Sequence, residues 1–494
     1  MPLTSTHTHR RTSLTAAAGL SLALVTLLAA CSSSKSPGTA ASSSTPAATA
    51  ASVAPSSSGV GASSTPPSGP ATSAPASSAA SPAPAASPTL DSAPVTITVE
   101  EASIDVPLFQ QYATLFHTKY PNVTVKIVGQ DFNTLQLNVP RILAGNDAPD
   151  IIRLGSFGNT VKDKQLTNLD PYAAEYGWNS WPQAQFESTR SNAAGTQRGS
   201  GSLYGVGPGF GLTGIYYNKA LLTQIGASVP STLDDLQADL AKAKAAGIQP
   251  FIISGPAQTL AFAVQNLEVD YENSVTPVQN WNYDKPGASL NIPSFVKAAT
   301  TLQNWSKAGY FPSDVNSVQE SDAVAKFDSG TGLFYLSGNW DAPAIEKAAP
   351  GKFGFFGFPP ATAGGVTDAM SAADLQVIPA KAAHPAPAAA FLNFIQTDPT
   401  ARQDSLDLGG YVPGGPADAA KLSAPAGSTV SGTVDFFAQA TANNELTEFM
   451  VNATSSISAS TLVPQTELLA GGKVTPAAFA ATVQSDYTSQ LAGH

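Results

Sequence analysis

The chain has one cysteine and five histidines among its 494 residues, and only 12% of them are charged. One cysteine excludes an intramolecular disulfide framework, Cys-rich zinc sites and iron–sulfur clusters. His7 and His9 precede the first apolar run and His494 ends the chain, so the body holds only His117 and His384. That inventory argues against a Ser–His or Cys–His centre and against a His-built metal site. No G-x-S-x-G, P-loop or H-E-x-x-H motif occurs, and no cofactor or metal is expected. No apolar run reaches the ~20 residues that a spanning helix needs. A net charge of -11 argues against nucleic acid as a partner, which wants a basic face. Charge near 25% is typical of a globular domain, so a low-charge segment must dilute the average.

That segment lies at the front. Arg10 and Arg11 are followed by an uncharged stretch with the apolar core Leu20–Leu28, then Ala29, Ala30 and Cys31. A basic start, a short apolar run and small residues before a cleavage point read as a secretory signal peptide over residues 1–30. Leu28-Ala29-Ala30-Cys31 resembles the lipobox of bacterial lipoproteins, which implies lipidation of Cys31 and anchoring at the outer face of the cell membrane. Arg10-Arg11 leaves Sec and twin-arginine export both open. From Ser32 to Pro94 the chain is almost entirely Ser, Ala, Pro, Thr and Gly. With nothing to bury, residues 31–94 are expected to be a disordered tether.

The remaining 400 or so residues alternate strand and helix signals, which points to an α/β fold with ligands at the carboxyl ends of the strands. Val95–Val99 and Val123–Ile127 alternate apolar and polar residues. Between them, Leu108, Tyr112, Leu115 and Phe116 recur at helical spacing, with Asp105 as an N-cap and Pro107 in the first turn. Leu135, Val139, Ile142 and Leu143 predict a second helix. Thr232 and Asp235 predict a capping box, and Gly247 the end of that helix. Ile248–Ser254 reads as a strand, and Ser294–Ala308 and Phe391–Ile395 as helical.

Several spaced segments resemble the extracellular solute-binding proteins of ABC sugar importers, broadly the maltose-binding-protein class. They are Ala148-Pro149-Asp150-Ile151-Ile152, Leu166–Tyr172, Gly214–Lys219, Phe327–Gly330 with Gly338-Asn339-Trp340-Asp341, Gly364-Gly365 and Phe391–Ile395. The resemblance implies a two-lobed periplasmic-binding-protein-like fold, each lobe a sheet flanked by helices, with the ligand in the cleft between. It places one lobe at 95–212 plus 375–418 and the other at 213–374 plus 419–494. Crossings are expected near Gly209–Thr213, Ala372–Leu375 and residue 418. It implies a monomer that captures a carbohydrate and delivers it to a membrane permease, without being an enzyme.

A sugar presents an apolar ring face and a polar rim, so aromatics, carboxylates and amides are the residues to look for. Trp340 falls on the family's sugar-stacking tryptophan, and Asp341 beside it either accepts hydroxyls or caps the helix Ala342–Ala348. Glu101, Gln130 and Asp131 follow the first two strands; Asp131 serves equally as a cap. Tyr216, Gly365 and Asp374 complete the set. Asp150 reads as structural. Trp178, Trp181, Trp281 and Trp305 are weaker candidates. Two other functions stay open: a secreted glycoside hydrolase, which needs only two carboxylates, and a wall-associated carbohydrate-binding or sensor protein.

Overall fold

A computed structural model describes residue 90 and residues 93–195, 197–419, 421–454 and 456–492. The expected signal peptide, Cys31 and nearly all of the tether lie outside the described residues. The strands of the first part are β1 (Val95–Ala102), β2 (Val123–Gln130), β3 (Ile151–Leu154), β4 (Arg190–Ser191), β5 (Ser202–Leu203) and β6 (Phe210–Asn218). Then follow β7 (Phe251–Ile252), β8 (Phe334–Gly338), β9 (Phe353–Phe356), β10 (Ala369–Ala373), β11 (Leu375–Val377) and β12 (Leu446–Thr447).

Two sheets organise two lobes. Lobe 1 carries the order β11–β3–β1–β2. There β1, β2 and β3 are parallel, and β11 runs against β3. The alternation read in β1 is real, with Ile97 and Val99 fully buried. Helix α1 (Val106–Lys119) follows, burying Leu108, Phe109, Tyr112 and Phe116 along one face, and Tyr120 ends it. Helix α2 (Phe132–Ala144) buries Leu135, Val139 and Leu143 at helical spacing. Asp150 is structural: its carboxylate accepts from Thr98 N at 2.9 Å and from His384 N at 2.7 Å, tying β1 to the start of the helix Pro385–Thr397.

Lobe 2 carries the order β12–β10–β6–β8–β7, with β9 also on β6. Here β7, β8, β10 and β12 all run one way and β6 runs against them. The capping box forms as expected. Asp235 N donates to Thr232 Oγ1 at 3.2 Å and Thr232 N to Asp235 Oδ2 at 3.1 Å. Gly247 follows that helix with φ +72°, the left-handed region that a helix terminus favours in glycine. The strand expected over Ile248–Ser254 shrinks to Phe251–Ile252. Pro250 has no N–H to give a ladder, and Ser254 turns away to bond Val318 O and Thr259 Oγ1.

Three segments pass between the sheets side by side. Asp374 N donates to Gly209 O at 2.9 Å, and Phe210 bridges Val412. Two glycines of the first crossing sit hard against neighbouring backbone. A Cβ on Gly207 would land on the Asp374 carbonyl, and one on Gly209 would strike that of Val412. Closeness, not backbone angle, demands glycine at both.

Candidate functional site

Strand direction locates the cleft. In lobe 1 the carboxyl ends of β1, β2 and β3 share one edge with the start of β11. In lobe 2 the carboxyl ends of β7, β8, β10 and β12 share one edge. Asp374 is the single residue between β10 and β11, so these two edges face each other. A cleft lined by strand ends is where open α/β sheets bind ligands.

The lobe 1 wall holds a charged cluster. Glu101 at the end of β1 and Asp374 at the crossing have no exposed side-chain surface, and both lie against the Arg153 guanidinium. Arg153 Nε reaches Asp374 Oδ1 and stands 3.9 Å from Glu101 Oε1. Gln376 Nε2 bridges the two acids, donating to Glu101 Oε2 at 2.6 Å and Asp374 Oδ2 at 3.0 Å. Tyr411 Oη donates to both Asp105 carboxylate oxygens at 3.0 Å. Three buried acids thus share one cation, which itself stacks over the Phe132 ring at 5.4 Å.

Burial pushes Glu101 well above its ordinary pKa, and Asp374 and Asp105 push it further, with Arg153 opposing. Asp105 is pushed up to about 8 by burial and then by Asp374. Burial also raises Asp374, against the pull of Arg153. Burial works against the Arg153 charge, but Asp374 and its neighbours outweigh that and raise its pKa. All three acids are thus shifted toward their protonated forms, and Arg153 toward its charged one.

The lobe 2 wall holds Trp340, just past β8. It is the one tryptophan that keeps partial exposure; Trp178, Trp181, Trp281 and Trp305 sit in the lobe cores. Its ring lies across bare backbone at Gly338, where any side chain would displace it, and passes beside Gly211. Its Nε1 donates to Glu320 Oε1 at 3.0 Å, which fixes the ring plane. Burial raises Glu320, and Asp131 across the cleft raises it further. Glu448 follows β12 and is raised by burial, with Arg198 and then Arg153 opposing. The lobes meet at Arg198–Glu448, 3.5 Å, and at Gln258–Asn133, 3.5 Å.

The expected residues divide accordingly. Trp340 stands partly exposed at the cleft edge of lobe 2, while Glu101 and Asp374 are buried behind the cleft edge of lobe 1. Gln130 and Asp131 stand at the rim. Gln130 Nε2 donates to Glu100 at 3.1 Å, and Asp131 caps α2 through Thr134 N at 3.0 Å. Three others go elsewhere. Tyr216 is fully buried among Tyr335, Phe327 and Phe355, its hydroxyl donating to Gly338 O at 2.7 Å. Asp341 is 1% exposed and neither caps the following helix nor faces the cleft. It accepts from Tyr335 Oη at 2.8 Å and Ser337 Oγ at 2.6 Å, and burial followed by the Glu320 charge pushes it up to about 8. Gly365 lies beside Asn273, at the far end of the helix Thr259–Glu272. That helix leaves the cleft edge and is about 21 Å long, so Gly365 is on the wrong edge of the sheet.

Asp105 corrects another expectation: it holds the N-cap position without a side-chain cap bond, because Tyr411 takes its carboxylate. Arg153, Glu320, Arg198 and Glu448 were not read from the sequence. Arg153 left a signal, since a charge inside Ile151-Ile152-Arg153-Leu154 needs a partner if the strand is buried. Among the described residues no group of three His, Cys, Asp or Glu is placed to hold a metal ion, and no helix is long and apolar enough to cross a membrane.

The comparisons agree with this architecture. The chain is 25% identical over 300 residues to the multiple sugar-binding protein of Streptococcus mutans serotype c, covering 57% of this chain and 66% of that protein, just under two thirds of its length. It is similar in structure to a chitin oligosaccharide binding protein, with 20% identity, TM-score 0.66, and 81% and 100% of the two chains covered. It is also similar to a protein from work on xylan utilization by Caldanaerobius polysaccharolyticus, with 18% identity, TM-score 0.68, and 79% and 100% covered. The solute-binding protein RafE in complex with raffinose gives 20% identity, TM-score 0.63, and 80% and 100% covered. These likenesses show the two-lobed fold. The profile of the bacterial extracellular solute-binding proteins matches residues 101–402, most of the folded body, and the chain belongs to that family of binding proteins.

Proposed function

We propose that the chain captures a carbohydrate between its lobes and hands it to the permease of an ABC importer. The observation that carries this is Trp340, a partly exposed ring held flat on glycine backbone at a cleft edge whose opposite wall is charged and hydrogen-bonding. The ring offers an apolar face to a pyranose, and the polar rim of the sugar meets the Arg153 guanidinium, the member of the opposite cluster that keeps side-chain exposure. The sugar-binding relatives support the same class of ligand. Ligand that touches both lobes favours the closed state through contacts the open state lacks. The lobes would be 95–212 plus 375–418 and 213–374 plus 419–494. Cys31 would carry the lipid anchor, residues 31–94 the tether, and one copy would serve as the working unit outside the cell membrane.

A thermal-shift screen over mono- and oligosaccharides tests this. A cognate sugar at a hundred times its Kd adds about 2.7 kcal/mol of stability. A rise with peptides or polyols and with no sugar would redirect the assignment. Catalytic release of reducing ends from an oligosaccharide would replace it with a hydrolase.

A further inference from the structure

Lobe 2 buries three acids that the cleft does not use. Glu268 and Asp270 lie on the helix Thr259–Glu272, and Asp368 stands immediately before β10. None is more than 2% exposed. Glu268 Oε2, both carboxylate oxygens of Asp270 and Asp368 Oδ2 are buried with no hydrogen-bond partner. Only the remaining two oxygens are met: Ser294 Oγ donates to Glu268 Oε1 at 3.2 Å, and Thr447 Oγ1 to Asp368 Oδ1 at 2.5 Å.

No cation balances them. Among the described residues no Lys, Arg or His forms an ion pair with any of the three. On the packed helix Pro293–Lys307, Lys297 sets its ammonium 3.9 Å from the Tyr271 ring centre, and Lys307 donates to Gln303 Oε1. Glu272 on their own helix, and Glu445 and Glu448 on either side of β12, are acids as well. The helix Val463–Ala470 brings only Glu467, which lies beside Gly255 near the start of the acids' helix. The helix Thr276–Asn282, β8 and β10 carry no charge.

A buried carboxylate without a partner is too costly to keep charged, and protonation is its ordinary escape. Protonation also supplies the O–H donors that these unmet oxygens lack. Burial pushes Asp368 up to about 7, with Thr447 and Gln265 opposing. It pushes Glu268 up to about 8, with Ser294 opposing and Asp368 adding. It raises Asp270 well above the ordinary range, and Asp368 and Glu268 raise it further. These folded values exceed unfolded values near ~4. The stability that the trio contributes is therefore full below the unfolded values and is lost as pH rises through the folded ones.

The trio is also wired to the contact between the lobes. Gln265 Nε2 donates to Thr447 Oγ1 and to Glu448 O, each at 3.1 Å. Glu448 in turn pairs with Arg198 of lobe 1 at 3.5 Å.

We propose that Glu268, Asp270 and Asp368 are a proton-operated switch in lobe 2. Protonated, they hold β10, β12 and the helix Thr259–Glu272 together; ionised in alkali, they repel one another and loosen the lobe contact at Glu448. The switch does not depend on what the cleft binds. Urea unfolding of the full chain and of Asp270→Asn across the range from acid to alkali tests it. Asparagine supplies at every pH a donor that the acid has only when protonated. The folding constant falls about tenfold per pH unit for each proton that the folded state alone holds. Over two pH units between the unfolded and folded values, the native chain is thus expected to lose about a hundredfold more than the variant. Parallel curves overturn the switch. Should Asp270→Asn fold poorly, hydrogen exchange of the native chain decides. Corrected for intrinsic rates, protection over 259–272, 369–373 and 446–447 is expected to fall in alkali while that of the helix Leu233–Ala245 in the same lobe holds. Unchanged protection, or an equal fall throughout both lobes, overturns the proposal.

Discussion

Arg153→Met is the sharpest perturbation of the cleft wall. Methionine keeps an unbranched stem over Phe132 but removes the one cation shared by Glu101, Asp374 and Asp105. Both Glu101 and Asp374 have fully buried side chains. Removing one partner of a buried ion pair costs about 3–5 kcal/mol, because the remaining charge is left uncompensated. That is the loss expected at pH 7.5. It shrinks in acid, since the stranded carboxyls escape by taking up protons. Their folded pKa values lie above the unfolded ones, so their stability contribution is greatest below the unfolded pKa and falls as pH rises toward the folded one. If the variant cluster binds one proton more than the native cluster, each pH unit returns about 1.4 kcal/mol. From pH 7.5 to 5.5 the deficit therefore narrows by about 2.7 kcal/mol. Urea unfolding of both proteins at the two pH values, followed by tryptophan fluorescence and with the slopes compared, measures it. A loss below about 1 kcal/mol at pH 7.5, or the same loss at both pH values, would refute a charge-balanced cluster.

Other outcomes are expected. Asp341→Asn keeps an acceptor for Tyr335 and Ser337 but cannot ionise. Because the folded pKa of Asp341 is raised to about 8, the native chain loses stability between pH 4 and 8 and the variant loses less; parallel pH–stability curves would contradict this. Gly338→Ala drives a methyl into the Trp340 ring, so overpacking costs about 1–3 kcal/mol and sugar affinity falls with it; unchanged melting and binding would show the ring free to move. Gly207→Ala places its methyl on the Asp374 carbonyl and is expected to lower the melting temperature at the crossing, whereas an unchanged melt would show slack there.

Much of the scaffold was legible because it is local. Alternation in Val95–Val99, the apolar spacing of Leu108 to Phe116, and the Thr232–Asp235 cap each involve residues within a few positions, and each appears as expected. The cleft is not local. Asp105 gives its carboxylate to Tyr411, 306 positions away, and nothing near Asp105 distinguishes that from a helix cap. Arg198 meets Glu448 only because a lobe 1 hairpin leans on lobe 2. Asp341 and Tyr216 sit in motif segments, and the family pattern does not say which way a side chain turns. In Gly338-Asn339-Trp340-Asp341 the tryptophan turns to the cleft and the aspartate to Tyr335 and Ser337.

The central claim is that a sugar lies against Trp340 between the lobes. Calorimetric titration of the native chain and of Trp340→Ala with the saccharide that gives the largest thermal shift tests it most directly. Saturable one-to-one binding by the native chain, weakened at least tenfold in a variant that still melts cooperatively, is the predicted result. Equal affinity in both proteins would place the sugar elsewhere and contradict the account.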